Sequence, residues 1–280
     1  MKKAMWTLLA MGVAGAGAAA LFVALGLYDI SATRQHTQAV YTLLETTMHQ
    51  SVERQARAVR VPPPGRTRSP ARGALCYQAH CVQCHGGPGT AQGPMGRSMQ
   101  PLPGPLVDAS ARWSPAELYW ITRHGIKMSG MPAWQHHIAE DDLWALVAFL
   151  QRLPRLTAAE FRAATAATTE PHGAAVCAAP QDATRLLPAD ALRGQRALTQ
   201  FACSACHLIP GVTGSRVHVG PPLAGVGSRS LIAGAVANTP EQMVRWIRAP
   251  QSVDPMTTMP DMQVGEQDAR DMAAFLATLR

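Results

Sequence analysis

Apolar positions along this 280-residue chain follow three spacings, each predicting a different helical environment. From Ala4 to Tyr28 no residue is charged, a run of 25 positions behind Lys2 and Lys3 that predicts one continuous apolar helix. A bilayer-spanning helix needs about 20 apolar residues, whereas the apolar part of a cleavable leader has roughly 7 to 15. Small residues between Ala14 and Ala20 offer peptidase-like sites, but Leu21 to Leu25 carries the run past them, so a retained anchor is expected over residues 1–30. Next, Val40, Leu44, Met48, Val52 and Ala56 repeat every fourth residue, an amphipathic helix within 31–69. Its apolar stripe fits a membrane surface, another subunit or the chain's own domains, and spacing does not choose among them. Finally, Glu140 to Leu153 and Glu266 to Leu279 carry apolar residues at helical spacing: Leu143, Leu146, Val147 and Leu150 in one, Ala269, Met272, Ala273 and Leu276 in the other.

These last two helices belong to an internal repeat with an offset of 122 to 128 residues. Each copy opens on a helix-like stretch, Arg72 to His80 or Leu192 to Ala202, with Gly73 or Gly194 near its start. Cys81-Val82-Gln83-Cys84-His85 or Cys203-Ser204-Ala205-Cys206-His207 follows. A Gly-Pro pair comes next, Gly93-Pro94 or Gly220-Pro221, and then a capped helix start, Ser114-Pro115-Ala116-Glu117 or Thr239-Pro240-Glu241-Gln242. Trp120 and Trp246 occupy matching places in these helices, and Met131-Pro132 or Met259-Pro260 precedes the final helix.

Cys-x-x-Cys-His is the attachment sequence of c-type haem. Two thiols at that spacing can each form a thioether to one vinyl group of the same porphyrin, and the adjacent imidazole meets the iron. A zinc ribbon would need a second cysteine pair nearby, and a thioredoxin-like redox site lacks the histidine. Two covalently bound haem c groups are therefore expected, held by Cys81 and Cys84 and by Cys203 and Cys206, with His85 and His207 as proximal ligands. The shared Met-Pro position makes Met131 and Met259 the expected sixth ligands, lying 46 and 52 residues beyond those histidines. Met128, Met256 and Met262 compete with them, and core packing is the ordinary role of methionine.

In this order of motifs each half resembles a class I cytochrome c domain. That resemblance implies an all-α fold of two tandem domains behind the transmembrane helix: 70–156 and 188–280, joined by a linker at 157–187. It also implies first and last helices that cross, a methionine on a loop, and a loop-proline carbonyl orienting the proximal histidine, mapped to Pro94 and Pro221. Trp246-Ile247-Arg248 through Thr258-Met259-Pro260-Asp261 resembles cytochrome c domains associated with haem-copper oxidases. Gly125 to Trp134 is similar to small haem domains serving membrane respiratory complexes. No dinuclear copper motif is present.

Composition agrees with cofactor-completed cores, since aromatics make up only 5% of residues while Gly and Pro number 23 and 22. The formal charge of +7 does not point to nucleic acid, because four haem propionates would offset much of it and Lys2 and Lys3 place the chain beyond Asp29 outside the cytoplasm. The expected location is a bacterial inner membrane crossed once, with the haem domains in the periplasm. Arg54, Arg57, Arg60, Arg66, Arg68 and Arg72 fit anionic headgroups, an acidic partner or a solvated linker about the stiff Val61-Pro62-Pro63-Pro64-Gly65. Cys76 and Cys177 remain; they are expected as separate buried thiols, with a bridge as the alternative in an oxidising compartment. His80, His124, His136, His137, His172 and His218 have no metal-spaced partner and are expected in surface or hydrogen-bonded roles. Asp141 and Asp142 are read as negative charge for a helix N-terminus.

With both axial positions filled, an electron carrier is expected rather than an enzyme. Its expected partner is a respiratory complex, foremost a haem-copper oxidase, or a periplasmic electron donor. The alternatives are an electron-accepting subunit of a periplasmic dehydrogenase and a two-haem peroxidase.

Overall fold

The computed structural model describes residues 1–63, 69–166, 177, 186–214 and 219–280. Pro64, Gly65, Arg66, Arg68, His172 and His218 lie outside the described residues, as does most of the expected linker. The apolar run forms α1 (Lys2–Ala24), a 23-residue helix with mean hydropathy 2.0 and no buried residue, long and apolar enough to cross a membrane. The amphipathic stripe becomes α2 (Gln38–Ala56). The first half then contains α3 (Pro70–His80), α4 (Val82–His85), α5 (Pro94–Arg97), α6 (Ala109–Arg112), α7 (Pro115–His124), α8 (Glu140–Arg152) and α9 (Ala158–Ala166). The second contains α10 (Ala191–Gln200), α11 (Pro240–Arg248), α12 (Pro250–Val253) and α13 (Glu266–Thr278). A two-stranded antiparallel hairpin, β1 (Leu231–Ile232) and β2 (Val236–Ala237), interrupts the otherwise helical architecture.

The two capped helix starts read from the sequence form unequally. Ser114 accepts from the Glu117 N–H while Glu117 accepts from the Ser114 N–H, a complete capping box on α7. On α11 only half of this forms: Thr239 Oγ1 accepts from Gln242 N–H at 3.3 Å, and the Gln242 side-chain oxygen is buried without a partner among the described residues.

Helix crossing organises both halves. In the first, α3 lies across α8; in the second, α10 lies across α13. At each crossing a glycine meets a main-chain carbonyl. A Cβ on Gly73 would sit 2.0 Å from Ala145 O, and one on Gly194 would sit 1.9 Å from Asp271 O. Beside each glycine an arginine grips an aspartate on the partner helix. Arg72 pairs with Asp142 through both Nε and Nη2, and Arg193 Nε and Nη2 reach Asp271 at 2.7 and 2.9 Å. Both aspartates are 1% exposed. Asp142, read as charge for a helix start, does sit in the first turn of α8, yet it is also the buried acceptor at the crossing.

Around the first crossing pack Tyr77, Leu143, Leu146, Val147, Phe149, Leu150 and Phe161; around the second, Leu198, Phe201, Met243, Ile247, Met272 and Leu276. Phe161 comes from α9, capped by a Thr157–Glu160 box, so the segment read as a linker from 157 begins inside the first core. Gly87 makes room for its ring, since a Cβ there would lie 2.3 Å from Phe161 Cζ. The C-terminal part of α2 turns its stripe onto the same half, burying Val52 and Ala56 against α7 and stacking His49 on Trp113 at 4.2 Å, whereas Leu44 stays exposed.

The expectation of two separate thiols is corrected: Cys76 and Cys177 form a disulfide, with Cα atoms 5.3 Å apart across a sequence separation of 101. Cys177 is held at the crossing, its N–H donating to Asp142 Oδ2 at 3.2 Å and its carbonyl meeting the His80 ring at 3.3 Å. Sequence spacing carries no information about that return of the chain. Cys76, Asp142 and Cys177 converge closely, but two of the three donors are consumed in the sulfur–sulfur bond, so the cluster is a staple.

Replacing Cys76 and Cys177 together by Ser is expected to lower unfolding free energy by about 2 to 4 kcal/mol in a urea titration, as loss of a long-loop staple does. Gly73→Ala or Gly194→Ala forces the crossing helices apart, an overpacking cost of about 1 to 3 kcal/mol or more in the same titration; an unchanged midpoint would show that the crossings relax freely.

Candidate functional site

In the first half α3 delivers the chain directly into Cys81, which is 8% exposed, while Cys84 and His85 on α4 are half-buried. In the second half Phe201 ends α10, and Ala202 takes a left-handed conformation (φ 55°) that turns the chain into Cys203. Cys203, Cys206 and His207 are half-buried. None of the four motif thiols is in a disulfide. Burial, then the neighbouring Cys84, pushes the Cys81 thiol up to about 12; burial foremost pushes Cys203 up to about 11.

Both histidines are oriented by a carbonyl. His85 Nδ1 lies 2.7 Å from Gly104 O and His207 Nδ1 lies 2.8 Å from Pro221 O. A carbonyl only accepts, so Nδ1 carries the proton in each ring and Nε2 keeps its lone pair for a metal. Burial holds the His85 pKa below its ordinary value and so favours the neutral ring, while the Gly104 hydrogen bond acts in the opposite direction. The mapping to Pro221 matches this geometry; the mapping to Pro94 does not. Pro94 is the first residue of α5 and its carbonyl accepts from Ser98 Oγ at 2.8 Å, so the acceptor for His85 comes from the later Pro101–Pro105 loop.

Glycines let the main chain close on these rings. A Cβ on Gly220 would meet the His207 ring at 2.5 Å, and one on Gly96 would meet Cys84 O at 2.7 Å. Gly93 and Gly220 donate their N–H groups to motif carbonyls, Gln83 O at 2.9 Å and Cys206 O at 2.8 Å. Tyr77 closes the base of the first motif by donating to Gly86 O at 2.7 Å, and burial raises its pKa.

The two Met-Pro loops are fixed by parallel bonds. Met131 N–H donates to Ser129 Oγ at 3.2 Å, and Met259 N–H donates to Thr257 Oγ1 at 3.3 Å. The carbonyl of Met131 accepts from Ile126 N–H at 3.1 Å, and that of Met259 from Gln251 Nε2 at 2.6 Å. Both methionines are half-buried, whereas Met128 and Met256 are 96% and 87% exposed. Met262 packs on the second core. Sequence reasoning missed Met99, whose sulfur would lie 3.2 Å from a Cβ on Gly130, beside the first Met-Pro loop; nothing in the repeat marks it. A cleft of about 1060 Å³ between α11 and α13 is separate from this machinery, for no motif cysteine, motif histidine or Met-Pro methionine lines it.

The donor set fits covalently attached haem: paired free thiols, imidazoles whose Nδ1 is taken by a carbonyl so that Nε2 is reserved, and main chain packed closely against the motif. Comparison with known proteins agrees. Residues 68–150 match the family described as cytochrome c oxidase, cbb3-type, subunit III, and residues 191–280 match the cytochrome c family. A curated relative, cytochrome c oxidase subunit 2 of Alkalihalophilus pseudofirmus, is 34% identical over 91 residues, which is 31% of this chain. The chain thus spans only 25% of that relative's length. A solved structure, the reducing HAO-like protein complex of Kuenenia stuttgartiensis, covers 79% of this chain and 99% of its own at 16% identity, with a TM-score of 0.26, a level that specifies no shared fold. Two cytochrome c domains, matched at 68–150 and 191–280, thus follow an apolar N-terminal helix, and domains of this kind imply electron transfer.

Proposed function

We propose that this protein carries single electrons on the periplasmic side of a bacterial inner membrane, tethered by α1, with one haem c in each domain. Thioethers to Cys81 and Cys84 and to Cys203 and Cys206 would hold the two groups. His85 with Met131, and His207 with Met259, would supply the axial ligands. When bound, haem c provides a one-electron iron couple, and a His/Met ligand set raises its potential relative to two histidines. The chain's own part is to aim each imidazole through its Nδ1 hydrogen bond, and to hold each methionine loop still.

The observation that carries this reading is the duplicate pinning of the Met-Pro loops. In both halves a hydroxyl oxygen two residues ahead accepts the methionine N–H, while an N–H from elsewhere in the domain donates to its carbonyl. A loop built to release its ligand for substrate would not need both bonds twice over. The partner we propose is a haem-copper oxidase, with this protein as subunit or tethered shuttle. The family matched by residues 68–150 and the oxidase subunit matched over 91 residues support that choice. An electron-accepting role beside a periplasmic dehydrogenase is the competing assignment of partner, and a two-haem peroxidase the competing activity.

Met131→Ala and Met259→Ala are each expected to convert one haem to a high-spin, lower-potential form, read from loss of half of the weak ferric methionine–iron band. A spectrum unchanged by either would pass the ligand role to another side chain, Met99 foremost in the first domain. The wild-type holoprotein is expected to show two low-spin haems that do not turn over hydrogen peroxide, and to co-purify with oxidase haem after mild detergent extraction. Peroxide turnover would establish the peroxidase reading, and a dehydrogenase in the purified material would reassign the partner.

A further inference from the structure

The two halves are not independent. His136, on the loop after the first Met-Pro pair, lies with Nδ1 3.0 Å from Asp268 Oδ2 on α13, and only 16% of its side chain is exposed. The repeat shows why Asp268 is available. At the offset of 126 that relates Glu140 to Glu266, Asp268 is the counterpart of Asp142, which in the first half is the buried acceptor for Arg72. In the second half that task moves one turn along the helix to Asp271, which holds Arg193. Asp268 is thereby released from its own domain's crossing and faces the other domain.

Around this contact runs a series of ring contacts. His80 meets Trp134 with centroids 4.7 Å apart, and Trp134 meets His137 at 6.4 Å. His137 and His136 then meet Phe201 at 5.9 and 5.2 Å. These separations lie within or near the range of about 4.5 to 7 Å over which aromatic rings attract one another. The positions matter as much as the distances. His80 immediately precedes Cys81, and Phe201 stands two residues before Cys203, so the series begins at one attachment motif and ends at the other. Its middle is held in place locally: Trp134 N–H donates to Thr122 O at 3.3 Å, and Trp134 O accepts from His137 and Ile138 N–H groups at 2.9 and 2.8 Å. Phe201 is fixed in the second core at 4% exposure.

We propose that the His80–Trp134–His137–Phe201 series is the junction through which the two domains exchange electrons, and that the His136–Asp268 pair is the clasp that keeps it closed. This deepens the carrier reading but holds for any external partner. Exchange across the junction is a one-electron step: one domain is oxidised by one electron, the other is reduced by one, and no bond or proton is transferred. Trp134, His136 and His137 act here as positioning residues, because they hold the attachment motifs in a fixed relation.

The test uses the full-length holoprotein in detergent, with Asp268→Asn and His137→Ala, both at positions outside the haem-binding set. Hydrogen exchange of residues 133–139 is followed in Asp268→Asn, and relaxation between the domains after a photochemical one-electron reduction is timed in both variants. Replacing Asp268 by Asn is expected to speed exchange at 133–139, in the opposite domain, about two- to fivefold, the range of a partly exposed polar contact to a carboxylate. Relaxation between the domains is expected to slow severalfold in both variants while the visible spectra of both haems stay as in the wild type. Unchanged exchange at 133–139 would overturn the clasp, and unchanged relaxation in His137→Ala would overturn the junction. Peroxide turnover by the wild type would instead mark failure of the carrier reading itself.

Discussion

Everything else in each domain hangs on the contact between its first and last helices. A glycine on the first helix admits a carbonyl of the last to a distance that no side chain tolerates, at Gly73 against Ala145 and at Gly194 against Asp271. Close approach of two backbones requires that the polar groups beside them be matched, because an unpaired charge buried there would cost several kcal/mol. The adjacent arginine and a buried aspartate meet that demand in both halves. Each aspartate also takes a main-chain N–H from the segment arriving beside the crossing, Cys177 in one case and Asp190 in the other. The pairs differ in setting: Arg72 is almost wholly buried, while 41% of the Arg193 side chain is exposed, so solvent screens the second pair more than the first.

From the crossings the functional residues follow in order. The first helix leads into the Cys-x-x-Cys-His motif directly in the first half and through Phe201 and the turn at Ala202 in the second, so fixing that helix positions the motif. A loop folded back over the motif supplies one carbonyl to the histidine, and a second loop presents the methionine. The disulfide adds a covalent tie in the first half alone, between the first helix and the chain leaving the domain. The second half has no such tie among the described residues, and its capping of α11 is also less complete. The two halves therefore share the arrangement of motif, carbonyl loop and Met-Pro loop while their supporting contacts diverge.

That divergence is what joins the halves. Moving the buried acceptor by one helical turn, from the Asp142 register to Asp271, leaves Asp268 at the surface of α13, where His136 of the other half meets it. Few residues are involved, and two of them already belong to the domain cores or their edges, Phe201 and Trp134. A small junction of this type orients two domains without merging them into one core.

The sequence alone determined whatever depends on local chemistry. Helix periodicity, the Ser114 box, the apolar run of α1 and the repeated attachment motif were all legible, because each is a property of residues near one another in the chain. Pro221 as the His207 acceptor came from the resemblance to class I cytochrome c domains, and its carbonyl does lie 2.8 Å from that ring. Its counterpart Pro94 does not serve His85, because it starts a helix and commits its carbonyl to the next turn, leaving Gly104 to do so. The Cys76–Cys177 bond, the burial of Phe161 and the His136–Asp268 contact were likewise decided by the tertiary structure, since each joins segments whose separation along the chain says nothing of their separation in space. Periodicity could place α2 on a helix but not choose its neighbour; only packing put Val52 and Ala56 against α7 and left Leu44 in the open.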